Sequence, residues 1–263
     1  MIHPSQRCGL LCICFVALFL LWSSQARAHF GTILPNRSML DQFHRSAELI
    51  IGFTHPFEQA GMDMAKPQKV VATALPHSQS KDLTPEIQAA NLLQHQAWKT
   101  TFTPQRPGVF CIHTVPQPYW EEAEGLYIKH LTKTYLAAFG AEEGWEQPLG
   151  LETEIVPLTR PFGLYAGNVF QGRVEVDGEP DPQATVEIEY YNQGKKANAP
   201  NQYMVTQVVR ADEDGVFTYA PPKAGWWGFS ALSEADYTLK RNGKPKPVEL
   251  GAVLWVQFLD WSQ

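Results

Sequence analysis

The sequence has few cysteines. Cys8, Cys12 and Cys14 lie at the very start of the chain, and Cys111 is the fourth. If the start is removed after synthesis, Cys111 remains alone and cannot form an internal disulfide, so stability must come from core packing. A lone cysteine in an apolar, strand-like segment is typical of a small buried side chain rather than of a soft metal ligand.

Basic clusters and familiar catalytic motifs are also missing. The chain has 21 Lys and Arg against 27 Asp and Glu, giving a net charge of −6, with no basic run. Nucleic acid is therefore not expected as a partner. There is no His-Glu-x-x-His, no Gly-x-Ser-x-Gly, no glycine-rich phosphate loop and no Cys-x-x-Cys. We therefore expect a protein that is not an enzyme.

The N-terminus has the organisation of a secretory signal. A weakly basic start is followed by an apolar run over residues 8–22 and by the small-x-small triplet Ala26-Arg27-Ala28. A membrane-spanning helix needs about 20 apolar residues, so this run is short for a permanent anchor. We expect cleavage after Ala28 and export to the periplasm, with a retained anchor as the alternative. No later run is long enough to predict a transmembrane helix in the mature chain.

The remaining residues predict an all-β fold. Residues 46–55 alternate, with Ala47, Leu49, Ile51, Phe53 and His55 on one face. Further strands are expected over residues 70–75, 97–103, 108–115 and 125–130, and one short helix over residues 84–96. We expect a signal peptide at 1–28, an N-terminal β-rich metal-site domain at 29–155, a C-terminal β-sandwich at 156–263, and a linker within residues 151–162.

The C-terminal half shows strands separated by turn signals. Strands are expected over residues 167–176, 184–191, 203–210, 216–220, 226–232 and 248–258, with Asp177-Gly178 as a tight hairpin turn. The run GRVEVDGEPDPQATVEIEYY with RADEDGVFTYAPPKAGWW resembles a carboxypeptidase-regulatory or transthyretin-like module. The whole mature chain is therefore expected to form two packed β-sandwich domains.

His29 is the first candidate metal ligand. Cleavage after Ala28 would leave a free α-amine and an imidazole on this one residue, which together form a small chelate. Imidazole nitrogen suits nickel, cobalt, copper and zinc. Both nitrogens must be unprotonated to bind, so affinity should fall with pH. The alternative is an accidental histidine at a cleavage site.

His55 ends an apolar strand face and is followed by Pro56, which predicts a position at a sheet rim. Glu58 follows in the next turn and is a candidate fourth ligand. Met62 and Met64 flank Asp63, so the three side chains cannot easily face one site. We interpret the two methionines as packing residues.

His130 ends the strand-like segment GLYIKH and follows an acidic stretch. Glu121 and Glu122 in that stretch could orient a ligating histidine. A solvated turn is the favoured interpretation for both. His113 alternates with Cys111 and Val115, which predicts a packed core histidine.

The chain then shows extended motifs of a known family. AHFGTILP, FTHPFEQAGMDMAKP, RPGVF, the long run beginning QPYWEEAEGLYIKHLTKTY, GWWGFSAL and ELGAVLWVQF resemble exported bacterial proteins of the nickel-uptake substrate-specific region. The resemblance spans nearly the whole mature chain. It implies an extracytoplasmic accessory component of nickel or cobalt importers of the energy-coupling-factor type, and it supports His29, His55 and His130 as ligands. Related components can carry a C-terminal membrane anchor, which residues up to Gln263 do not provide.

We therefore expect a periplasmic protein that binds a divalent transition metal and delivers it to the membrane components of an importer. Nickel or cobalt is expected, while copper and zinc also fit the ligands. The site would comprise His29, His55 and His130, with Glu58 as the fourth ligand. Two alternatives stay open: a histidine-brace copper protein or oxidative enzyme, and a structural β-sandwich protein without metal.

Overall fold

The computed structural model describes residues 29–261. The expected signal peptide and its cleavage point after Ala28 therefore lie outside the described residues. Within the described range the chain is nearly all β, which confirms the predicted fold class. The chain contains no helix there that is long and apolar enough to cross a membrane.

The strands in chain order are β1 (Phe30–Pro35), β2 (Met39–Leu40), β3 (Ala47–His55), β4 (Ala60–Met62), β5 (Lys69–Leu75), β6 (Gln79–Asp82), β7 (Gln88–Leu92), β8 (His95–Phe102), β9 (Gly108–Val115), β10 (Tyr119–Glu121), β11 (Leu126–Ala138), β12 (Thr153–Pro157), β13 (Leu164–Tyr165), β14 (Phe170–Val176), β15 (Glu179–Pro180), β16 (Thr185–Tyr190), β17 (Gln207–Arg210), β18 (Val216–Tyr219), β19 (Gly225–Glu234), β20 (Leu239–Arg241), β21 (Lys244–Lys246) and β22 (Val248–Leu259). Short 3₁₀ turns cover Thr84–Glu86, Gln193–Lys195 and Gln202–Met204.

One large sheet runs through the whole molecule, with strands in the order β17-β16-β19-β22-β11-β9-β5-β6. Strand β22, from the end of the chain, pairs in parallel with β11, from the first half. Strands β1, β3, β8 and β7 form a smaller sheet, and β12, β14 and β15 form another. The two predicted sandwiches therefore share the large sheet.

The two smaller sheets pack on opposite faces of the large sheet. Alternation along β11 shows this, because successive side chains of a strand point to opposite faces. Leu136 belongs to a core cluster with Leu49 and Ile51 of β3. Its neighbour Tyr135 belongs to the cluster that contains Ile155 of β12 and Phe170 of β14. Hydrophobic burial on both faces makes β11 and β22 the central strands of the fold.

The predicted helix over residues 84–96 is wrong. The chain makes only the 3₁₀ turn Thr84–Glu86 and then enters β7, which pairs with β8. Leu93 and Gln94 join these strands with φ values of 53° and 69°, the left-handed conformation that a two-residue hairpin requires. Neither residue is a typical turn former. Strand pairing has therefore overridden a locally helical pattern.

Two further predictions need correction. The expected linker over residues 151–162 contains β12, whose five residues are all buried, so this segment contributes a core strand. The expected strand over residues 203–210 begins only at Gln207, since Gln202–Met204 is a 3₁₀ turn. The Asp177-Gly178 hairpin turn is confirmed, with both residues at positive φ between β14 and β15. The division of the chain at residue 155 stays a prediction.

The core contains a buried ion pair on the face opposite the histidines. Lys133 of β11 donates to Glu154 of β12, and both side chains are almost fully buried. Glu154 also accepts hydrogen bonds from the backbone N–H groups of Leu149 and Gly150. Burial by itself would raise the pKa of Glu154, but Lys133 and these donors outweigh it and hold the pKa below its usual value. The pair is satisfied, so removing one partner should leave an uncompensated charge.

We expect Lys133→Met to lower the free energy of unfolding by about 3–5 kcal/mol at pH 7, because Glu154 would stay buried without its cation. Since the folded pKa of Glu154 is depressed, the stabilisation from the pair is present above about pH 4.5 and is lost as pH falls through the folded pKa. Urea unfolding should therefore show a large loss of unfolding free energy for Lys133→Met at pH 7 and a smaller loss at pH 3.5. Lys133→Met with Glu154→Gln should recover much of the loss; a Lys133→Met cost below about 1 kcal/mol at pH 7 would contradict this account.

Candidate functional site

Antiparallel pairing brings His29 and His55 together. Phe30 at the start of β1 lies opposite Thr54 near the end of β3, so the residue before β1 meets the last residue of β3. The two imidazole rings have centroids 4.7 Å apart with planes at 49°. His55 is 8% exposed, and the side chain of His29 is 14% exposed. His55 therefore ends β3 as a buried residue, beside the first described residue.

Phe53 connects this pair to the third predicted histidine. Its ring stacks on His29 at a centroid distance of 5.7 Å and meets the ring of His130 edge-on at 5.5 Å. His130 lies in β11 and is 3% exposed. Phe53 therefore contacts His29 and His130, and His29 in turn contacts His55, which brings the three predicted histidines into one cluster.

His130 is held by the backbone of β1. The Gly31 N–H donates to Nδ1 of His130, with a distance of 3.3 Å between the nitrogens. A neutral imidazole that accepts at Nδ1 carries its proton on Nε2. That Nε2 is buried and has no hydrogen-bond partner, and the nearest carboxylate oxygen, Oε1 of Glu249, lies 3.6 Å away. In this arrangement neither nitrogen of His130 is free to coordinate a metal ion.

Two glycines allow this close packing. A Cβ added to Gly251 would lie 2.2 Å from Cδ2 of His130, so the ring rests flat against the backbone of β22. A Cβ added to Gly31 would lie 2.1 Å from Oγ1 of Thr132 and 3.0 Å from Cβ of His130. Non-bonded carbon atoms do not approach this closely, so a side chain at Gly251 would displace the His130 ring, and one at Gly31 would displace Thr132 and His130.

His29 is neutral at physiological pH. Burial and the adjacent His55 lower the pKa of His29 from 6.5 to about 4, while Glu121 acts in the opposite direction. Nε2 of His29 lies 3.4 Å from Oε2 of Glu121, whose side chain is 16% exposed. The interpretation of Glu121 as part of a solvated turn was wrong, because β10 pairs with β11 and turns this carboxylate towards His29. Glu122, at 82% exposed and paired with Arg241, does lie at the surface.

Further carboxylates surround the cluster. Glu249 of β22 shares a face of the large sheet with His130 and Glu187, since cross-strand neighbours lie on one face. Burial together with Glu249 and Glu124 raises the pKa of Glu187 to about 7. The pKa of Glu124 is raised by burial and by Glu249 and Glu121. Burial is the largest cause of both shifts, and the neighbouring carboxylates add to it.

Glu58 lies in the turn after β3 and is partly exposed. Its charge helps to raise the pKa of Glu189, a buried carboxylate that reaches about 7 mainly through burial. Glu189 also accepts hydrogen bonds from the Thr206 hydroxyl and the Phe57 N–H. Glu58 is therefore linked to the acidic region, and its role as a metal ligand stays a prediction.

Sequence reasoning missed Glu249 and Phe53 as members of the cluster. Glu249 is the charged residue of the largely apolar strand β22, which is a usable signal for a polar group with a role in the interior. Its position beside His130 depends on the parallel pairing of β11 with β22, which no local pattern reveals. Phe53 was predicted as a core residue on the same face as His55, and it also packs against Tyr119.

The other sulfur and histidine candidates are packing residues, as predicted. Cys111 is fully buried, and burial raises the pKa of its thiol to about 12. Met64 lies in a core cluster with Met62 packed against it. His113 is buried, and this lowers the pKa of its ring to about 4. Within residues 29–261, no three His, Cys, Asp or Glu side chains already form a closed set of donors around an ion position.

The fold and the cluster define an all-β protein in which histidines and carboxylates meet where the first strand packs on the large sheet. The chain belongs to the family described as "Domain of unknown function (DUF4198)", whose model matches residues 26–235. That description names no substrate, metal or partner. A search of curated proteins found no match.

Solved structures resemble the chain only distantly. The D0-D1 domain of intimin is 9% identical, with 86% of this chain and 99% of that chain covered and a TM-score of 0.25. Native E. coli alpha-2-macroglobulin is 10% identical, with 88% and 14% covered and a TM-score of 0.23. A two-domain fibronectin type III segment of chicken tenascin is 8% identical, with 86% and 99% covered and a TM-score of 0.22. TM-scores this low do not establish a common overall fold.

We expect Gly251→Ala to displace the His130 ring and to lower the free energy of unfolding by about 1–3 kcal/mol, because the new methyl group would overlap that ring. Urea unfolding measures the cost, and the ring proton NMR signals of His130 report its displacement. In a protein that already carries His130→Ala, Gly251→Ala should lower the free energy of unfolding much less than it does in the original protein. Equal costs in the two backgrounds would show that the ring does not lie against Gly251.

Proposed function

We propose that this protein binds one divalent transition metal ion at His29 and His55 and delivers it to a membrane importer. The observation that carries the proposal is the side-by-side placement of these two rings, with His29 held neutral and a carboxylate at its Nε2. A neutral imidazole binds a metal ion without first losing a proton, so the site is prepared for coordination at neutral pH.

The chelate at His29 accounts for the position of Glu121. If the exported chain begins at His29, its α-amine and Nδ1 form the chelate. Nε2–H is then left to donate to Glu121, 3.4 Å away. A metal-bound histidine usually donates its other N–H to a carboxylate, which fixes the ring and strengthens the ligand. His55 supplies the second ring, and the amine adds a donor beyond the side chains of the described residues.

His130 has a different part in this proposal. Coordination through its Nε2 would require the proton to move to Nδ1, which would break the hydrogen bond from the Gly31 N–H. We therefore propose that His130 positions the start of β1, and hence His29, while Glu249 lies against its other nitrogen. The role of His130 as a direct ligand stays an alternative, and metal titration of His130→Asn distinguishes the two: a positioning residue leaves the bound metal stoichiometry at one.

Exchange of the ion requires access to the site. The side chain of His29 is 14% exposed, which leaves part of the ring open to solvent for an ion to enter and leave. Nearby carboxylates attract cations of any kind. Nitrogen ligands follow a general affinity order across the first-row metals, so the donors do not select one ion. Nickel or cobalt, export to the periplasm and an energy-coupling-factor importer as partner come from the family resemblance of the sequence.

Titration calorimetry with Ni²⁺ on protein that begins at His29 should show one ion bound per chain. His55→Ala, or one extra residue before His29, should weaken binding by about 100-fold or more, since even a supporting residue of a metal site contributes about 10–100-fold. His77→Ala is the matched control, because His77 is exposed and lies after β5, away from the cluster. Equal affinity in all four proteins would overturn the proposed terminal chelate.

A further inference from the structure

The hairpin formed by β20 and β21 concentrates positive charge in an acidic protein. Among the described residues, these two strands pair only with each other, so the hairpin is not part of the larger sheets. The chain has a net charge of −6, yet residues 240–246 contain no acid and four bases, Lys240, Arg241, Lys244 and Lys246. No basic cluster was expected, and this one forms because the turn at Asn242-Gly243 brings the two strands together.

The base of the hairpin rests on β10, next to the histidines. The Arg241 guanidinium lies 4.2 Å from the ring centroid of Trp120, and Nζ of Lys246 lies 5.5 Å from the same centroid. The face of an aromatic ring attracts cations, so both contacts hold the hairpin in place. Arg241 also pairs with Glu122 at 3.2 Å. Because Trp120 directly precedes Glu121, the hairpin is anchored beside the proposed metal site.

The two remaining cations of the hairpin lack such contacts. Lys240 and Lys244 are exposed, and neither forms an ion pair with a carboxylate of residues 29–261. Lys244 lies directly opposite Arg241, and like charges at such positions destabilise strand pairing. Glu122 compensates Arg241 alone. Local conflicts of this kind are typical of functional positions, where a ligand supplies the opposite charge.

The arrangement of these charges indicates the kind of anion that fits. Lys244 shares one face of the hairpin with Arg241, and Lys240 shares the other face with Pro245, because consecutive residues of a strand point to opposite faces. Lys240 and Lys244 therefore cannot converge on one small anion such as phosphate. A folded acidic protein would contact one face of the hairpin, whereas a layer of lipid headgroups can surround its tip and reach both lysines.

We propose that the β20–β21 hairpin docks this protein onto a bilayer surface that carries anionic headgroups. Clusters of basic side chains bind such surfaces through charge, without a pocket of defined shape. The inference goes beyond metal delivery, and its test uses no metal. Because the hairpin is anchored on β10, docking would hold the histidine pair beside the membrane, and this consequence alone rests on the proposed function.

Co-sedimentation of the exported protein with vesicles of phosphatidylglycerol and phosphatidylcholine tests the docking. Binding should be absent with phosphatidylcholine alone and lost at about 1 M salt, where the screening length falls to about 3 Å. Lys240→Gln with Lys244→Gln should weaken binding about 25-fold, since each basic side chain near an anionic surface contributes about fivefold. Lys195→Gln with Lys196→Gln removes the same charge from an exposed pair in another loop and should leave binding nearly unchanged.

Three outcomes would overturn the proposal. Equal losses in the two double variants would show that net charge, and not the hairpin, determines binding. Absence of binding to the anionic vesicles, or equal binding to phosphatidylcholine alone, would contradict recognition of acidic headgroups. Tighter binding to polyglutamate than to the vesicles, at equal concentration of negative charge, would indicate an acidic protein partner instead of a lipid surface.

A nitroxide label at Pro245→Cys locates the contact. Cys111 is fully buried, so the label on the exported protein should react at the new position. On anionic vesicles, its accessibility to a water-soluble relaxation reagent should fall, whereas a label at Ala89→Cys, an exposed position of β7, should keep its accessibility. Equal changes at the two positions would contradict docking through the hairpin. His55→Ala should retain vesicle binding while losing Ni²⁺, so failure of one proposal is distinguishable from failure of the other.

Discussion

The close packing of β1 on the large sheet at His130 is the constraint on which the site depends. Gly31 donates its N–H to the ring from one side, and Gly251 lies flat against it on the other. Neither position has room for a side chain. Pairing of β1 with β3 places His29 beside His55, and the contact at His130 fixes that pair against the large sheet.

The same constraint connects the two halves of the chain. Parallel pairing of β11 with β22 places Gly251 opposite His130 and Glu249 opposite Ile128, so the C-terminal strand provides part of the surroundings of an N-terminal site. The buried pair of Lys133 and Glu154 lies on the other face of β11 and is fully satisfied. The buried pair on that face supports the fold, whereas the histidines lie on the opposite face of β11.

Local patterns in the sequence predicted the strands and the direction of their side chains. The contacts between residues that are distant in sequence depend on which strands pair. Alternation placed His55 at the end of β3 and Phe53 on the same face, because side-chain direction in a strand is a local property. The contacts of Glu121 and Glu249 with the histidines depend on which strands pair, and that is decided by packing across the whole chain. Residues 84–96 show the same limit, since their helical pattern gave way to the pairing of β7 with β8.

X-ray absorption spectroscopy at the nickel edge, on the exported protein loaded with one Ni²⁺, identifies the ligands of the bound ion. We expect a first shell rich in nitrogen, with the outer-shell scattering of two imidazole rings reduced to one ring in His55→Ala. An oxygen-only shell without imidazole scattering would contradict it, because the ion would then occupy the surrounding carboxylates instead of the two histidines.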